Sequence, residues 1–191
     1  MHKTQIRKGM TGLETAIILI AFIIVASAFA FTVLNLGFQS SQKAGQVIQR
    51  GTEEASSAME LDGAVIAYKN TSSTVSNITF VIKLSAGRQA IDLSNNKLTV
   101  AYWSANKYLA NIYTNTTDEG AVVTQIVGNN NAMLDYGEKF LVTVHVTNDA
   151  VNDANLGVND DFKIELKPAI GSVLTVERYL PPSLDTVMNL G

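Results

Sequence analysis

Hydrophobic and polar positions change their spacing twice along the chain. Between Glu14 and Lys43 lie 28 consecutive uncharged positions, and residues 13–36 are almost entirely Leu, Ile, Val, Phe and Ala. As a helix, these 24 residues would be about 36 Å long, which exceeds a hydrocarbon core of roughly 30 Å. The pattern predicts a helix that either crosses a membrane or is buried on all sides by copies of itself.

The next segment, residues 40–62, is amphipathic. Apolar side chains recur at spacings of three and four residues with charged side chains between them, which predicts that the helix continues with one wet face. The pair Asp62-Gly63 is a turn signal and predicts the end of the helix. The recurring apolar positions are Ala44, Val47, Ile48, Ala55, Ala58 and Met59.

Beyond residue 63 the hydrophobic period changes to two. The alternation predicts about eight strands, at residues 64–68, 77–84, 97–103, 108–114, 121–127, 140–146, 162–166 and 172–178. Many short strands without helical patterns between them favour an antiparallel β-sandwich over a parallel α/β sheet. The predicted fold class is therefore α+β, a long hydrophobic N-terminal helix followed by a β-sandwich.

Composition and charge exclude several classes of function. The chain has no cysteine, which removes disulfides, thiolate zinc sites and cysteine nucleophiles. The net charge is −3, and without Lys3, Arg7 and Lys8 only 11 basic residues remain against 17 acidic ones. Phosphate neutralisation needs clustered Lys and Arg, so we expect no binding to nucleic acid.

Glu14 is a carboxylate at the start of the apolar run, where a charge is costly. A secretory signal cut after Ala26-Ser27-Ala28 would place an acid at the opening of its apolar region, and the apolar run continues past that cut. A plain transmembrane anchor fits the length and the basic flank but leaves Glu14 unexplained.

A third interpretation is cleavage between Gly9 and Met10. The cut would remove the basic leader, residues 1–9, and create a new α-amino group four residues before Glu14. A buried carboxylate is tolerated when it is paired, and the free amine of Met10 on a neighbouring subunit would be such a partner. Glu14 would then set the register of apolar helices assembled side by side.

This arrangement resembles the class III signal of type IV prepilins, and two stretches narrow the resemblance to archaellins, the archaeal flagellins. The N-terminal stretch is MTGLETAIILIAF at residues 10–22 with SSQKA at 40–44. The C-terminal stretch is DFKIELKP at 161–168, Gly171, and LTVERYLP at 174–181. Bacterial type IV pilins usually begin the mature chain with Phe and often carry a C-terminal cysteine pair, so Met10 and the lack of Cys favour the archaeal branch.

The resemblance implies a major structural subunit of the archaellum. A precursor in the cytoplasmic membrane would lose residues 1–9 to a prepilin peptidase. An ATP-driven assembly machine would then add the subunit to a homopolymeric, extracellular filament that rotates for swimming. Residues 10–62 would form the filament core, and residues 63–191 an outer, Ig-like β-sandwich. The alternatives are a non-rotating adhesion pilin and a membrane-anchored extracellular binding module.

Asparagine sequons are candidate modification sites on an exported surface. Asn70, Asn77 and Asn115 each begin an Asn-x-Ser/Thr sequence without proline in the middle, so N-glycosylation is expected if the domain is extracellular. Attached glycans would cover exposed strand edges.

Signals for metal binding and catalysis are weak. The stretch 149–161 is rich in Asp and Asn and could suit Ca²⁺, but it does not match an EF-hand, so no metal site and no cofactor are predicted. His145 is expected to be a structural strand residue. Four aromatic residues could form a sugar-stacking platform, although sandwich core and rim is the preferred interpretation: Tyr102, Trp103, Tyr108 and Tyr113. The sequence contains no Gly-rich phosphate loop after a strand and no nucleophile elbow, so we expect no enzyme.

Overall fold

A single long helix opens the chain. The computed structural model describes residues 4–71, 73–85, 89–114, 119–153 and 155–191, with side chains from residue 12 onward within these ranges. The helix α1 spans Thr4–Ser56, 53 residues, and passes through Gly37, Gly45 and Gly51 without interruption. The predicted N-terminal helix is confirmed.

The predicted end of this helix is wrong. It ends at Ser56 rather than at Asp62, and residues from Met59 onward form a strand. Met59 is 6% exposed and pairs with Leu84, and the Asp62 N–H donates to the Val81 carbonyl oxygen at 2.8 Å. The apolar period of so short a segment fits either element, and pairing with a distant strand decides between them.

Antiparallel strands make up the rest of the fold. The described residues contain β1 (Met59–Leu61), β2 (Ile66–Lys69), β3 (Val75–Leu84), β4 (Ile91–Asp92), β5 (Leu98–Ser104), β6 (Tyr108–Leu109), β7 (Ala121–Val127), β8 (Met133–Leu134), β9 (Lys139–His145), β10 (Asp161–Pro168), β11 (Leu174–Tyr179) and β12 (Val187–Asn189). All eight predicted strands are present. The predicted strand 108–114 is reduced to β6, because the Asn111 side-chain oxygen accepts hydrogen bonds from the N–H groups of Val100 and Tyr113 at 3.3 and 3.1 Å.

The larger strands form two sheets. One has the order β12-β2-β3-β9-β7, with β1 also paired to β3, and the other has the order β11-β10-β5-β6. The short strands β4 and β8 pair with each other. All of these strand pairs are antiparallel, which confirms the predicted sheet type.

Alternate residues of both sheets form one shared core. In β3 from Ile78 to Leu84, and throughout β9, every second residue is buried, as the period of two requires. The fully buried side chains with the largest volumes are Tyr102, Phe80 and Phe162. The core lies between the two sheets, so the outer faces and the strand edges remain at the surface.

The chain divides into two compact units. The first is Met1–Arg50 and the second is Gly51–Gly191. The last turn of α1 and the strand β1 therefore belong with the sheets, whereas the sequence pattern predicted residues 40–62 as a continuation of the helix.

Candidate assembly site

The apolar part of α1 is uncovered around its whole circumference. Its large apolar side chains, from Leu13 to Phe38, are each 50% to 71% exposed. The helix between Gly12 and Ser56 is long and apolar enough to cross a membrane, and none of its most apolar stretch is buried against the other residues described. Water does not solvate such a surface favourably, so lipid or other protein chains must cover it.

Two hydroxyl groups inside the apolar run are satisfied within the helix. The Ser27 hydroxyl donates to the Ile23 carbonyl oxygen at 2.7 Å, and the Thr32 hydroxyl donates to the Ala28 carbonyl oxygen at 2.9 Å. Each hydroxyl group donates its single hydrogen bond to a carbonyl oxygen of the same helix. These residues therefore add little cost when the run leaves water.

The predicted cleavage and pairing residues lie near the start of the same helix. The helix includes the Gly9–Met10 peptide bond, and the side chain of Met10 is outside the described residues. Glu14 is exposed and follows Met10 by four residues, or about 6 Å along the axis. Residues four apart share a helix face, so a free amine at Met10 would lie on the side of Glu14. No ion pair among the described residues involves Glu14.

The end of α1 is held by backbone contacts with distant loops. Ser57 is 3% exposed, and its carbonyl oxygen accepts a hydrogen bond from the Ser172 N–H at 2.8 Å. The Ser56 carbonyl oxygen accepts one from the Gln89 N–H at 3.2 Å. Gly171 has φ +121°, and a Cβ there would lie 2.8 Å from the Ser57 carbonyl oxygen. Glycine is required at this turn, a constraint that sequence reasoning missed because the contact is non-local.

The candidate glycosylation residues differ in their surroundings. Asn70 lies at the turn between β2 and β3, where its side-chain oxygen accepts a hydrogen bond from the Thr71 N–H at 2.7 Å. Asn77 lies in β3, inside the larger sheet, and its side-chain oxygen is 3.1 Å from His145 Nδ1. His145 is thus a strand residue in contact with an amide. Asn115 is outside the described residues.

The Asp- and Asn-rich stretch uses its carboxylates in different ways. Asp153 is 2% exposed, and its Oδ2 accepts hydrogen bonds from the Tyr102 hydroxyl at 3.0 Å and the Ser104 hydroxyl at 2.5 Å. Burial, and then the Asp153 charge, raise the pKa of Tyr102 well above its usual value. Asp160 Oδ2 accepts from the Gly157 N–H at 2.8 Å, and Asp149 is exposed. The carboxylates of Asp153 and Asp160 are therefore used as hydrogen-bond acceptors for other groups of this chain.

The four aromatic residues do not form one platform. Tyr102 and Tyr113 are buried, whereas Trp103 and Tyr108 lie on the outer face of the smaller sheet with ring centroids 4.6 Å apart. The Lys163 and Lys167 ammonium groups lie 5.0 and 5.2 Å from the centre of the Trp103 ring. The Trp103 ring is therefore in contact with Tyr108 and with two cations of the same sheet.

A carboxylate bridges these two lysines. Glu165 accepts from Lys163 at 2.6 Å and from Lys167 at 2.7 Å. The hydrogen bond from Lys163, followed by the one from Lys167, lowers the pKa of Glu165 below its ordinary value. The cluster is therefore charged and internally paired at neutral pH.

These features define a class of protein. A long, uncovered apolar helix at the N-terminus, followed by an antiparallel β domain, is the architecture of type IV pilin-like filament subunits. Because the helix is the uncovered element, it is the candidate assembly site.

The comparisons identify the family within that class. The archaeal-type flagellin family profile matches residues 9–178. The chain is 38% identical to "Probable flagellin 1" of Aeropyrum pernix, over 94% of this chain and 95% of that one. It is 34% identical to "Probable flagellin 1" of Archaeoglobus fulgidus, over 96% and 95% of the two chains. The structure of the archaeal flagellum of Methanospirillum hungatei strain JF1 matches with a TM-score of 0.72 and 25% identity, covering 94% of this chain and 98% of that one. The chain belongs to the archaeal-type flagellin family, and it is a subunit of the archaellum filament.

Proposed function

We propose that this protein is the major subunit of an archaellum filament that drives swimming and that its role is structural rather than catalytic. The carrying observation is the uncovered apolar surface of α1, which requires a partner along its full length. Copies of the same helix provide that partner in a filament core. The filament lies outside the cell, and the β domain of each subunit faces its surroundings.

The precursor crosses the cytoplasmic membrane through the same helix. Residues 13–36 are long enough to span the hydrocarbon core, and the basic residues of the leader stay on the cytoplasmic side. Cleavage between Gly9 and Met10 by a prepilin peptidase then removes the leader. The family match begins at Gly9, next to the proposed cut, which supports this position. An ATP-driven machine completes the transfer into the filament.

Glu14 aligns subunits by pairing with the new amine of Met10 on a neighbouring copy. In a low-dielectric core an unpaired carboxylate is costly, and the pair forms only when two helices have the correct offset. The leader must therefore be removed before the subunit joins the filament, since the amine does not exist earlier.

Mass spectrometry of fibres sheared from the source cells tests processing and assembly together. The expected N-terminal peptide begins at Met10. A peptide that retains Met1, or one that begins after Ala28, would overturn the proposal. Deletion of the gene with swimming and attachment scored separately tests motility. Intact swimming would move the protein to the adhesion pilins.

Glu14→Gln tests the pairing mechanism directly. We expect normal cleavage of the leader but at least tenfold less subunit in filaments, equivalent to about 1.4 kcal/mol or more per subunit. The matched control is Glu54→Gln, an exposed glutamate near the other end of the helix, which should assemble like the wild type. Immunoblots of the membrane and filament fractions give both readouts. Wild-type incorporation of the Glu14 variant would contradict the pairing.

We propose N-glycans at Asn70 and at Asn77, with the added condition for Asn77 that the glycan is attached before the domain folds. The turn at Asn70 offers its amide to an enzyme after folding, whereas Asn77 is held in the sheet beside His145. Asn77 must therefore be modified before the domain folds. Glycopeptide mapping of the same fibres measures occupancy at both positions and at Asn115.

A further inference from the structure

A row of carboxamides follows one face of α1. Asn35, Gln39, Gln42, Gln46 and Gln49 succeed one another at spacings of four, three, four and three residues. We call these five residues the amide stripe. All five are exposed in the subunit, and four of the seven glutamines in the chain belong to the stripe. Alternating spacings of four and three keep side chains on one face of a helix and are the repeat of helices that pack side by side.

The stripe is polar but carries no charge. The neighbouring charged residues of this helical segment, Lys43 and Arg50, fall outside its spacing. A face that only meets water tolerates Glu and Lys at least as well as Gln, and both have similar helix propensity. Solubility alone therefore does not account for amides at all five positions.

The covering partner is a second copy of this chain. The apolar run of α1 has to be covered by other copies in the filament, and the stripe begins inside that run, at Asn35 between Leu34 and Leu36. The covered surface is thus continuous with the first residues of the stripe. A carboxamide is both donor and acceptor, so the same side chains suit both sides of a contact between identical helices. Charged groups of one sign would repel their own copies there.

We propose that the amide stripe is a contact surface that forms hydrogen bonds with the α1 helix of a neighbouring copy and fixes the axial offset of the two helices. Apolar packing alone tolerates sliding, whereas a polar group withdrawn from water is satisfied only at particular offsets. Thr32 lies one turn before Asn35, and its hydroxyl group donates its proton to the Ala28 carbonyl oxygen. The hydroxyl oxygen of Thr32 is therefore an additional acceptor for the neighbouring helix. The inference rests on the proposed assembly of this helix into a filament.

The test replaces amides with carboxylates of nearly the same shape. In the double variant Gln42→Glu/Gln46→Glu, ionised carboxylates lose the donors of the stripe and repel each other between copies. The matched control is Lys43→Gln, which changes the net charge in the same direction at an adjacent position outside the stripe. Purified filaments are incubated at a series of temperatures, and the free subunit is measured by sedimentation near pH 7 and near pH 4.

The double variant should release about tenfold more free subunit than the wild type near pH 7, and the excess should shrink near pH 4, where a protonated Glu is again a neutral donor and acceptor. The wild type and the double variant share the other charged groups of this segment, which include Lys43, Arg50, Glu53 and Glu54. The two proteins are therefore compared with each other at the same pH, so that these groups contribute equally to both. The control should match the wild type at both. Circular dichroism of the released subunits checks that the fold is intact.

Two outcomes would overturn the inference. Wild-type release by the double variant near pH 7 would show that the stripe is a solvated face. Equal excess release near pH 4 and near pH 7 would show that shape, rather than hydrogen bonding, is responsible. Failure of the wild type itself to form filaments would instead overturn the proposed function, so the two failures are distinguishable.

Discussion

Asp153 illustrates how a single buried carboxylate fixes a long loop of the β domain. Its Oδ2 accepts hydrogen bonds from the hydroxyl groups of Tyr102 and Ser104, on and at the end of β5. Buried polar groups that lose a partner cost far more than the net value of the bond they made. The loop is therefore attached to the core by chemistry that composition alone does not reveal.

Asp153→Ala should lower the free energy of unfolding by about 3 kcal/mol, because it leaves the buried Tyr102 hydroxyl and the part-buried Ser104 hydroxyl without their acceptor. Urea unfolding of the β domain measures this change. Asp149→Ala is the control, since the same residue type at an exposed position of the same loop should change stability by less than about 0.5 kcal/mol. Equal effects of the two substitutions would show that the Asp153 contacts contribute nothing specific.

Glu165 makes the stability of the β domain dependent on pH. Its pKa is lowered in the folded state by Lys163 and then Lys167, from an ordinary value of 4.5. A group with a depressed pKa in the folded state stabilises the fold above its unfolded pKa, and that contribution is lost as the pH falls through the folded value. Between about pH 6 and pH 3, Glu165→Gln should therefore lose less stability than the wild type. Denaturant midpoints at the two pH values test this, and an equal acid loss in both proteins would contradict it.

At the scale of elements, the sequence predicts those helices and strands that are determined by the pattern of consecutive residues. The helix follows from an unbroken apolar run, and the eight strands follow from alternation, because both signals lie within a few consecutive residues. Met59 had helical spacing but joins β1, since its pairing with Leu84 is non-local. The short strands β4, β8 and β12 have only two or three residues each, too few for a period to be visible.

The same distinction between local patterns and non-local contacts decides which functional features the sequence predicts. The exposed apolar helix is evident in the sequence because composition determines it. The contact of Asp153 with Tyr102 joins residues 51 positions apart, so only the folded sheet brings them together. The partner that we propose for Glu14 belongs to another copy, and no pattern within one chain reveals its position.

The turn between β10 and β11 is an element-scale feature that should be sensitive to substitution. Gly171→Ala combines an unfavourable φ with a close approach to the Ser57 carbonyl oxygen, and we expect a loss of about 2–4 kcal/mol in unfolding free energy. Gly137→Ala is the matched control, because Gly137 also has a positive φ, of 85°, but a Cβ there meets nothing within 4 Å. Thermal unfolding of both variants separates the clash from the φ cost. Indistinguishable midpoints would show that the turn yields without strain.

At the scale of the whole molecule, the exposed apolar surface lies in one unit and the buried hydrophobic core lies in the other. The unit Met1–Arg50 exposes its apolar side chains to whatever surrounds it. The buried hydrophobic cluster lies entirely within the unit Gly51–Gly191. The sequences of the two units can therefore change independently, because a substitution in the helical unit leaves the core of the β unit intact.

This separation predicts the behaviour of two truncated chains. Residues 51–191 should fold as a soluble monomer with a cooperative transition, because they contain the whole core and retain the hydrogen bonds of Ser56 and Ser57. A chain of residues 59–191 has the same strands but lacks those two acceptors and the Ala58 carbonyl oxygen, so the N–H groups of Gln89, Ser172 and Ser85 lose their partners. Its unfolding free energy should be lower by about 1–3 kcal/mol. Size-exclusion chromatography and thermal unfolding test both chains. If the longer chain aggregates, the β domain needs α1 to fold; if the two unfold at the same temperature, the end of the helix does not stabilise the domain.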